Sequence, residues 1–271
     1  MDVLVTGGTG VLGSRVVDRL RAGGHRARVL SRRPGSGPDH VVGDLATGVG
    51  LAEAVRGAEV VVHAGSATGS ARNGRATDVE GTRRLLERAR EAGVRHFAFV
   101  SIVGIERVTA FSYYRNKLAA EDHVREGGVP WSILRATQFH TLLDGMIGGF
   151  SRLPGLTLVP TRWRFQPLDP DVAADRLVEA ALAEPAGMLP DLGGPEVMEM
   201  GNLARSWLDA RGQRRRVVRL PMPGTAGRRI TEGALTCPDR RDGGVTWEEY
   251  LARKYGGRGR EVRTRTWRPD L

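Results

Sequence analysis

The sequence of 271 residues contains one cysteine, two lysines and no long apolar run. Because Cys237 stands alone, an intrachain disulfide is impossible, which argues against a disulfide-stabilised secreted protein. No apolar stretch approaches the roughly 18 residues that span a bilayer. Residues 1–5 lack the basic segment and the longer apolar core of a signal peptide. We therefore expect a cytoplasmic protein that has no membrane partner.

Lysine is nearly absent although the chain is basic. The formal net charge is +10, and 39 of the 41 basic residues are arginine, which is typical of a GC-rich coding sequence. Residues 1–204 carry a net charge of only +1, whereas residues 205–229 carry +7 and residues 251–271 carry +5. We interpret this excess as solvated charge at the periphery of the protein, so a nucleic-acid partner is not expected.

Segments typical of strands and helices alternate along the first half of the chain. Val60, Val61 and Val62 form a continuously apolar, β-branched run, which suits a parallel strand buried on both faces. The predicted strands are residues 2–6, 25–30, 40–43, 59–63, 97–101 and 131–135. The predicted helices between them are residues 11–22, 51–56, 78–92 and about 112–127. This alternation predicts an α/β fold with a Rossmann-type doubly wound parallel sheet.

The alternation breaks after Ala136. Glycines and prolines interrupt residues 138–165, which predicts loops and short elements, and Gln166–Leu168 is predicted as a short strand. Asp171–Ala183 has the pattern of an amphipathic helix. A further strand and helix are expected before a last short helix, which begins at Trp247.

The first predicted strand leads directly into a glycine-rich loop, Thr6-Gly7-Gly8-Thr9-Gly10-Val11-Leu12-Gly13. Its glycines fit both the G-x-G-x-x-G and the related G-x-x-G-x-x-G spacing. Between a strand and a helix, such a loop lets the backbone approach a pyrophosphate at the positive end of the helix. We therefore predict a dinucleotide site whose contacts are Gly7, Thr9, Gly10, Val11, Leu12 and Gly13.

The end of the second predicted strand distinguishes between two dinucleotides. An NAD site usually has Asp or Glu there for the ribose 2′-hydroxyl, whereas this chain has Ser31-Arg32-Arg33. Guanidinium groups and a hydroxyl can bind a 2′-phosphate that a carboxylate would repel. The sequence therefore favours NADP(H), bound by Ser31, Arg32 and Arg33. Asp44 is placed to meet the adenine amino group. The ends of the third and fourth strands supply the further predicted contacts Asp44, Leu45, His63, Ala64 and Gly65.

A serine, a tyrosine and a lysine follow one another near the fifth predicted strand. Tyr113 and Lys117 are four residues apart on a predicted helix and share one face, and Ser101 ends the preceding strand. An ammonium beside a tyrosine favours its phenolate, which suits proton transfer near neutral pH. The set therefore indicates carbonyl reduction: Ser101 holds the substrate oxygen, Tyr113 supplies the proton, and Lys117 also binds the nicotinamide ribose. The alternative is a buried Tyr113 beside a solvated Lys117. Tyr114 is expected to point elsewhere.

These motifs resemble the short-chain dehydrogenase/reductase superfamily, in its atypical, NmrA-like branch. The resemblance extends to about residue 255 and rests on Thr6–Gly13, the set Ser101, Tyr113 and Lys117, Gln166–Leu168, Gly193–Glu196 and Thr246–Leu251. It implies an NADP-binding Rossmann core, which we place at residues 1–136. A smaller substrate-binding part, interleaved with the core, is placed at residues 137–255, with Gln166–Ala183 packing back on the core. Residues 256–271 form an arginine-rich tail that we expect to be poorly ordered.

One position departs from the pattern of this superfamily. Many members have Asn where this chain has Asp78, and that Asn helps to position the lysine. An ionised Asp78 can accept a hydrogen bond but cannot donate one. The proton relay implied by the resemblance would therefore differ in this chain.

The substrate cleft is expected beyond the carboxyl ends of the strands. The residues predicted to line it are Gln138, Phe139, His140, Trp163, Phe165 and Gln166. This mixture of apolar and polar groups suits a flat or hydrophobic carbonyl compound. His140 is either a spare proton donor or a packing residue, which is the commoner role of an isolated histidine. No His/Cys/Asp cluster has metal-ligand spacing, so no metal is expected.

The sequence favours an NADPH-dependent reductase that transfers a hydride to a ketone, a quinone or a similar hydrophobic carbonyl substrate. Because the NmrA-like branch also contains redox sensors, the alternative is a non-catalytic NADP(H)-sensing regulatory protein. A nucleotide-sugar epimerase or dehydratase is a second alternative, which the short C-terminal part favours less. The sequence leaves open whether the protein is a monomer or a dimer.

Overall fold

A seven-stranded parallel sheet forms the centre of the molecule. The computed structural model describes residues 1–35, 37–67 and 74–256. Its strands, in chain order, are β1 (Asp2–Thr6), β2 (Arg26–Ser31), β3 (His40–Val42), β4 (Val60–His63), β5 (His96–Ile102), β6 (Trp131–Ala136), β7 (Leu156–Val159), β8 (Arg164–Phe165), β9 (Gly187–Met188), β10 (Met198–Glu199) and β11 (Arg216–Arg219). Seven of them form one sheet in the order β3-β2-β1-β4-β5-β6-β9, and every neighbouring pair in it is parallel. This arrangement confirms the predicted Rossmann-type doubly wound sheet. The predicted tail lies outside the described residues, except for Gly256.

Helices cover both faces of the sheet. In chain order, the helices of the described residues are α1 (Val11–Ala22), α2 (Leu51–Val55), α3 (Gly81–Glu91), α4 (Ser112–Glu126), α5 (His140–Phe150), α6 (Pro170–Leu182), α7 (Met200–Ala210), α8 (Thr225–Thr231) and α9 (Trp247–Tyr255). Of these, α1 and α6 pack on one face of the sheet, and α2, α3 and α4 pack on the other. A π-helical segment, Arg75–Glu80, runs directly into α3, so the helix predicted from Asp78 begins earlier and with a wider winding. The other elements predicted before Ala136 have the expected bounds to within one residue at either end.

Two apolar layers enclose the sheet because its strands are buried on both faces. On one face, Val3 and Val5 of β1 pack in a core with Leu20 of α1 and Leu177 of α6. On the other face, Leu4 belongs to a second core, which includes residues of α2, α3 and α4. β1 lies between β2 and β4, and the order of the strands reverses there. A crevice for a ligand forms at the carboxyl ends of the strands at such a point.

The structure differs from the prediction after Ala136. Residues 140–150, predicted as loops and short elements, form the 11-residue helix α5. Leu143 and Ile147 of α5 are fully buried in a third apolar core. Burial of this face outweighs the low helix propensity of the glycines in α5, which suggested a loop.

The segment predicted as a strand at Gln166–Leu168 is not one. Leu168 makes a single bridge with Phe139, and the strand in this region is β8, which ends at Phe165 and pairs antiparallel with β10. The chain then enters α6, which packs on α1. There the carboxylate of Asp171 forms ion pairs with Arg15 and Arg19.

The third apolar core joins the elements that follow the main sheet. It contains residues from α5, β7, β8, α7, α8 and α9, among them Leu143, Val159, Trp207, Ile230 and Trp247. β7 and β11 form a separate parallel pair, in which Val159 lies opposite Arg219. The C-terminal elements therefore form a compact unit around their own core.

A buried carboxylate, that of Asp144 in α5, ties α7 and α9 to this core. It accepts hydrogen bonds from Trp207 Nε1 at 2.6 Å, Tyr250 Oη at 2.8 Å, Lys254 Nζ at 2.5 Å and Tyr255 Oη at 2.9 Å. Burial by itself would raise the pKa of Asp144, but these four donors outweigh it and lower the pKa of this carboxyl below its ordinary value. The ionised form of Asp144 is therefore the form that stabilises the fold.

Replacement of Asp144 by Ala should lower the free energy of unfolding by about 2–4 kcal/mol at pH 7, because the indole N–H of Trp207 is left buried without its acceptor. The folded-state pKa of Asp144 lies below the unfolded-state value, so its contribution is present above about pH 4 and is lost as the pH falls further. Urea denaturation at pH 7 and pH 3 measures both effects. The difference in the free energy of unfolding between wild type and D144A should be smaller at pH 3 than at pH 7. Equal urea midpoints of the two proteins at pH 7 would contradict a stabilising role of the Asp144 carboxylate.

Candidate dinucleotide-binding and active site

A cleft of about 670 Å³ opens at the carboxyl ends of the central strands. The predicted residues that line it are Gly7, Thr9, Gly10, Val11, Leu12, Gly13, Ser31, Arg32, Asp44, Leu45, Ala64, Gly65, Ser101, Tyr113, Lys117, Gln138 and Phe139. These residues come from segments far apart in the sequence. The fold therefore brings most of the predicted cofactor contacts and all three predicted catalytic residues to one cleft.

The glycine loop closes against its neighbours through backbone contacts. Gly7 has a φ of +69°, and a Cβ atom there would lie 2.7 Å from the backbone nitrogen of Gly65. A Cβ atom at Gly13 would lie 2.2 Å from the carbonyl oxygen of Gly7. Gly10 is the N-cap of α1 and has no side chain to cap the helix, so the first N–H groups of α1 are available to a phosphate. The loop fits the pyrophosphate of a dinucleotide.

The two arginines after β2 occupy different positions. Ser31 and Arg32 lie in the wall of the cleft, whereas Arg33 is exposed and lies outside it. The backbone N–H of Arg33 donates a hydrogen bond to Ser31 Oγ at 3.2 Å. Asp44, after β3, also lines the cleft, and its Oδ1 atom accepts the backbone N–H of Ala46 at 2.9 Å. Of the two arginines predicted to bind the 2′-phosphate, Arg32 is the one that the fold places at the site.

His63, predicted to contact the cofactor, is buried beneath the cleft and does not line it. Its Nδ1 atom lies 2.6 Å from Thr6 Oγ1, and its Nε2 atom lies 2.9 Å from Thr82 Oγ1. Burial and, to a smaller extent, the charge of Lys117 lower the pKa of His63 to about 3. Thr6 Oγ1 also accepts the N–H of Gly65 at 3.1 Å. A neutral His63 therefore supports the loop that faces the cofactor.

Tyr113 and Lys117 lie one helical turn apart on α4, and both line the cleft. Lys117 is 4% exposed, which excludes the alternative of a solvated lysine. Its Nζ atom donates a hydrogen bond to the carbonyl oxygen of Val100 at 3.1 Å and lies 4.5 Å from the centroid of the Phe99 ring. Burial lowers the pKa of Lys117. The ammonium is therefore held at a fixed position behind Tyr113.

Tyr114, which we expected to point elsewhere, also lines the cleft. Its ring centroid lies 5.6 Å from that of Tyr113 and 5.9 Å from that of Phe111. Burial raises the pKa of the Tyr114 hydroxyl above its ordinary value. Tyr114 therefore contributes an apolar wall between the cleft and the third core.

Ser101 lies between the cleft and a buried ion pair. It is 3% exposed, and the register of β5 and β6 places it opposite Arg135. Arg135 Nη2 donates to Glu121 Oε2 at 2.7 Å. Burial opposes the ionisation of Glu121, but Arg135 lowers its pKa below the ordinary value. Among the described residues, the Oγ atom of Ser101 has no hydrogen-bond partner.

Asp78, in the π-helical segment before α3, is a buried carboxylate and is 2% exposed. Its Oδ1 atom accepts the backbone N–H of Ala67 at 3.0 Å. Among the described residues, its Oδ2 atom has no hydrogen-bond partner. The charge of Asp78 raises the pKa of Lys117 and partly offsets the effect of burial. Asp78 therefore acts on Lys117 through its charge.

Four of the residues predicted to line the substrate cleft lie elsewhere. Trp163 and Phe165 belong to the third core. His140 is 1% exposed, its ring lies 5.0 Å from that of Tyr250, and burial lowers its pKa to about 4. The side chain of Gln166 is buried and binds backbone groups of the loops around it. None of these four side chains therefore lines the dinucleotide cleft.

Gln138 and Phe139 do line the cleft, together with residues that the sequence did not identify. The additional residues on this side are Tyr114, Thr137, Thr141 and Leu142. Leu142 is 39% exposed although it is apolar. Thr141 and Leu142 belong to the first turn of α5, and the glycines of that helix obscured its apolar spacing. This side of the cleft therefore combines the apolar side chains of Phe139 and Leu142 with the hydroxyl groups of Thr137 and Thr141.

Across the ranges that the structure describes, no group of three or more His, Cys, Asp or Glu side chains is arranged to hold a metal ion. Within the same ranges, no helix has both the length and the apolar character needed to cross a bilayer.

The fold, the glycine loop and the crevice at β1 together define a dinucleotide-binding protein of the Rossmann type. Residues 7–149 match a family model described as NAD(P)H-binding. Ceramide reductase of Caulobacter vibrioides is 30% identical over 253 residues, which cover 86% of this chain and 76% of that protein. The structure of a short-chain dehydrogenase/reductase superfamily protein from Agrobacterium tumefaciens with bound NAD is 26% identical, has a TM-score of 0.73 and covers 95% of this chain and 97% of that one. The chain belongs to the NAD(P)H-binding family, in the atypical, NmrA-like part of the short-chain dehydrogenase/reductase superfamily.

A second relative supports an oxidoreductase. The (4-alkanoyl-5-oxo-2,5-dihydrofuran-3-yl)methyl phosphate reductase of Streptomyces griseus is 33% identical over 144 residues. The match covers 51% of this chain, which spans about half (48%) of the length of that relative. Both curated relatives are named as reductases.

Replacement of Gly13 by Ala should weaken NADPH binding by at least about tenfold, because the new Cβ atom would force the helix away from the Gly7 carbonyl. Gly145→Ala is the matched control, since a Cβ atom at Gly145 would meet nothing within 4 Å. Titration of NADPH fluorescence measures both affinities. Equal affinity of G13A and G145A would contradict the close packing of the loop.

Proposed function

We propose that this protein is an NADPH-dependent reductase of a ketone, a quinone or a similar carbonyl compound with an apolar body. The observation that carries the proposal is the pair on α4: Tyr113 in the cleft wall, one turn before the buried Lys117. The glycine loop lines the same cleft. The two relatives named as reductases support the same class of reaction.

The proposed mechanism uses three side chains of the cleft. When bound, the nicotinamide supplies the hydride that reduces the carbonyl carbon. Tyr113 donates its phenolic proton to the carbonyl oxygen, and the ammonium of Lys117 stabilises the phenolate that remains. Ser101 holds the carbonyl oxygen during the transfer. Lys117 can act in this way because its hydrogen bond to Val100 fixes the position of Nζ.

An apolar substrate is proposed because of the residues on the side of the cleft opposite the dinucleotide. Phe139, Leu142 and Tyr114 line this side, and Leu142 is 39% exposed. A substrate that covers them removes apolar surface from water, which favours binding by about 25 cal/mol per Å². Thr141 supplies a polar group that can orient the substrate, whereas the amide of Gln138 already binds the backbone of Leu235 and Gln166.

Replacement of Tyr113 by Phe should lower kcat for NADPH-dependent reduction by about 10²–10⁴-fold, because the proton donor is lost while the ring remains. NADPH affinity should not change. Tyr114→Phe is the matched control, since Tyr114 lines the same cleft but has no part in the proposed transfer. Assays with a panel of ketones, quinones and aldehydes measure the effect. Equal rates for Y113F and wild type would exclude Tyr113 as the proton donor.

Replacement of Arg32 by Ala should weaken NADPH binding by about 10–100-fold and leave NADH binding nearly unchanged, because only NADPH carries the 2′-phosphate that the guanidinium would bind. Arg33→Ala serves as the control, because Arg33 has the same charge but lies outside the cleft wall. Fluorescence titration with both dinucleotides measures the effect. An equal loss of NADPH and NADH affinity in R32A would contradict the proposal that Arg32 selects NADP(H).

The second candidate is a non-catalytic NADP(H)-binding regulator. The observation that favours it is the buried Asp78, which when ionised cannot donate a hydrogen bond to a relay behind Lys117. In that case, NADPH would bind tightly and no carbonyl compound of the panel would be reduced. Turnover that depends on Tyr113 would exclude this candidate.

A further inference from the structure

A second concavity of about 560 Å³ lies outside the dinucleotide cleft. Two of its walls follow directly after β7 and β11, and the third comes from α8. Because β7 and β11 are parallel and Val159 lies opposite Arg219, both strands end at the same edge. Ligands of parallel sheets bind beyond the carboxyl ends of the strands. The place of this concavity in the small sheet thus corresponds to that of the dinucleotide cleft in the large one.

Three guanidinium groups border this concavity, which we call the arginine pocket. It is lined by Arg162, Arg219 and Arg228 and by one acidic residue, Glu232, which lies 3.9 Å from Arg228. In the described part of the chain, Arg162 and Arg219 form no ion pair. Arg15 of α1, by contrast, is paired with a carboxylate. The arginine pocket therefore has an uncompensated positive charge.

The floor of the arginine pocket is apolar. Trp163, Leu220 and Met222 line it, and Met222 is 39% exposed. Prolines at positions 160 and 223 also line it and limit the flexibility of its walls. A Cβ atom at Gly227 would lie 2.2 Å from the carbonyl oxygen of Met222, so α8 packs tightly against the loop after β11. The walls are therefore fixed before any ligand binds.

We propose that the arginine pocket binds an organic anion: a carboxylate or a phosphate monoester that carries an apolar body. Guanidinium groups bind both kinds of anion through paired hydrogen bonds, and the apolar body covers Trp163, Leu220 and Met222. Two of the arginines in residues 205–229, Arg219 and Arg228, line this pocket, and neither of them lines the dinucleotide cleft.

A chain of aromatic rings connects the arginine pocket to the dinucleotide cleft. The ring of Trp163 lies 6.1 Å from that of Phe111, which lies 5.9 Å from that of Tyr114 in the cleft wall. The anion is therefore either the far end of a long carbonyl substrate or a separate ligand. In both cases, the pocket binds an anionic group that is attached to an apolar body. Inhibition kinetics can distinguish the two sources of the anion.

The test uses octyl phosphate as the probe, with octanol and inorganic phosphate for comparison. Isothermal titration calorimetry of the full chain should detect octyl phosphate binding that is at least about tenfold tighter than that of octanol or phosphate. The affinity should fall as salt is added, because the arginines are exposed. Absence of octyl phosphate binding at millimolar concentration would overturn the proposal.

Variants locate the site. The double variant R162Q/R219Q should lose about tenfold or more in octyl phosphate affinity, whereas R214Q/R216Q, which removes two exposed arginines of the same region from outside the pocket, should retain it. M222Q should weaken octyl phosphate and leave inorganic phosphate unchanged. Equal affinities of R162Q/R219Q and R214Q/R216Q would overturn the assignment to this pocket. All replaced side chains are exposed, so thermal unfolding should be unchanged.

A kinetic measurement identifies the source of the anion and rests on the proposed reductase activity. If octyl phosphate competes with the carbonyl substrate, the anion that the pocket binds is the far end of that substrate. If octyl phosphate inhibits or activates the reaction without competing, the anion belongs to a separate ligand. Either result retains the site. If no carbonyl compound is reduced, the calorimetric comparison of the variants still decides whether the arginine pocket binds the anion, so the two proposals fail independently.

Discussion

The dinucleotide cleft depends on backbone segments that touch with no side chain between them. Gly7 packs on the loop after β4, and Gly13 brings the first turn of α1 against the carbonyl of Gly7. Beneath them, His63 joins Thr6 of β1 to Thr82 of α3 through both of its ring nitrogens. Because burial lowers the pKa of His63 to about 3, this support is uncharged near neutral pH. The loop is thus held open toward the cleft before a ligand arrives.

The charged groups on α4 are held by a different means. Lys117 is buried, and burial of an unpaired ammonium costs free energy. A carbonyl oxygen, an aromatic face and the charges of Asp78 and Glu121 offset this cost. The chain has only one other lysine, Lys254, which anchors α9 to Asp144.

The sequence predicted the parts of the site that depend on local spacing. The glycine loop follows from residues within one turn, and the pair Tyr113 and Lys117 follows from the helical repeat, so both could be located without a structure. The roles of His63, His140 and Trp163 could not be recognised. Each is decided by residues far away in the chain: His63 by α3, and His140 and Trp163 by elements of the third core.

The strands of the main sheet were predicted more accurately than the helix that follows them, for a similar reason. Buried parallel strands have long apolar runs, which identified six strands of the main sheet to within one residue. Helix α5 was missed because its glycines lower its intrinsic propensity, and only burial against the C-terminal elements stabilises it. The same helix supplies Thr141 and Leu142 to the cleft, so the error in the fold became an error in the site.

Transfer of a hydride from NADPH to a carbonyl carbon is the central claim of this account, and isotopic labelling tests it directly. The protein would be incubated with NADPH deuterated at both C4 positions of the nicotinamide and with a panel of ketones, and the products would be analysed by mass spectrometry. The account predicts one deuterium on the former carbonyl carbon of the reduced product, and formation of that product that is about 10²–10⁴-fold slower when Tyr113 is replaced by Phe. Saturable NADPH binding with no deuterium in any product would contradict it.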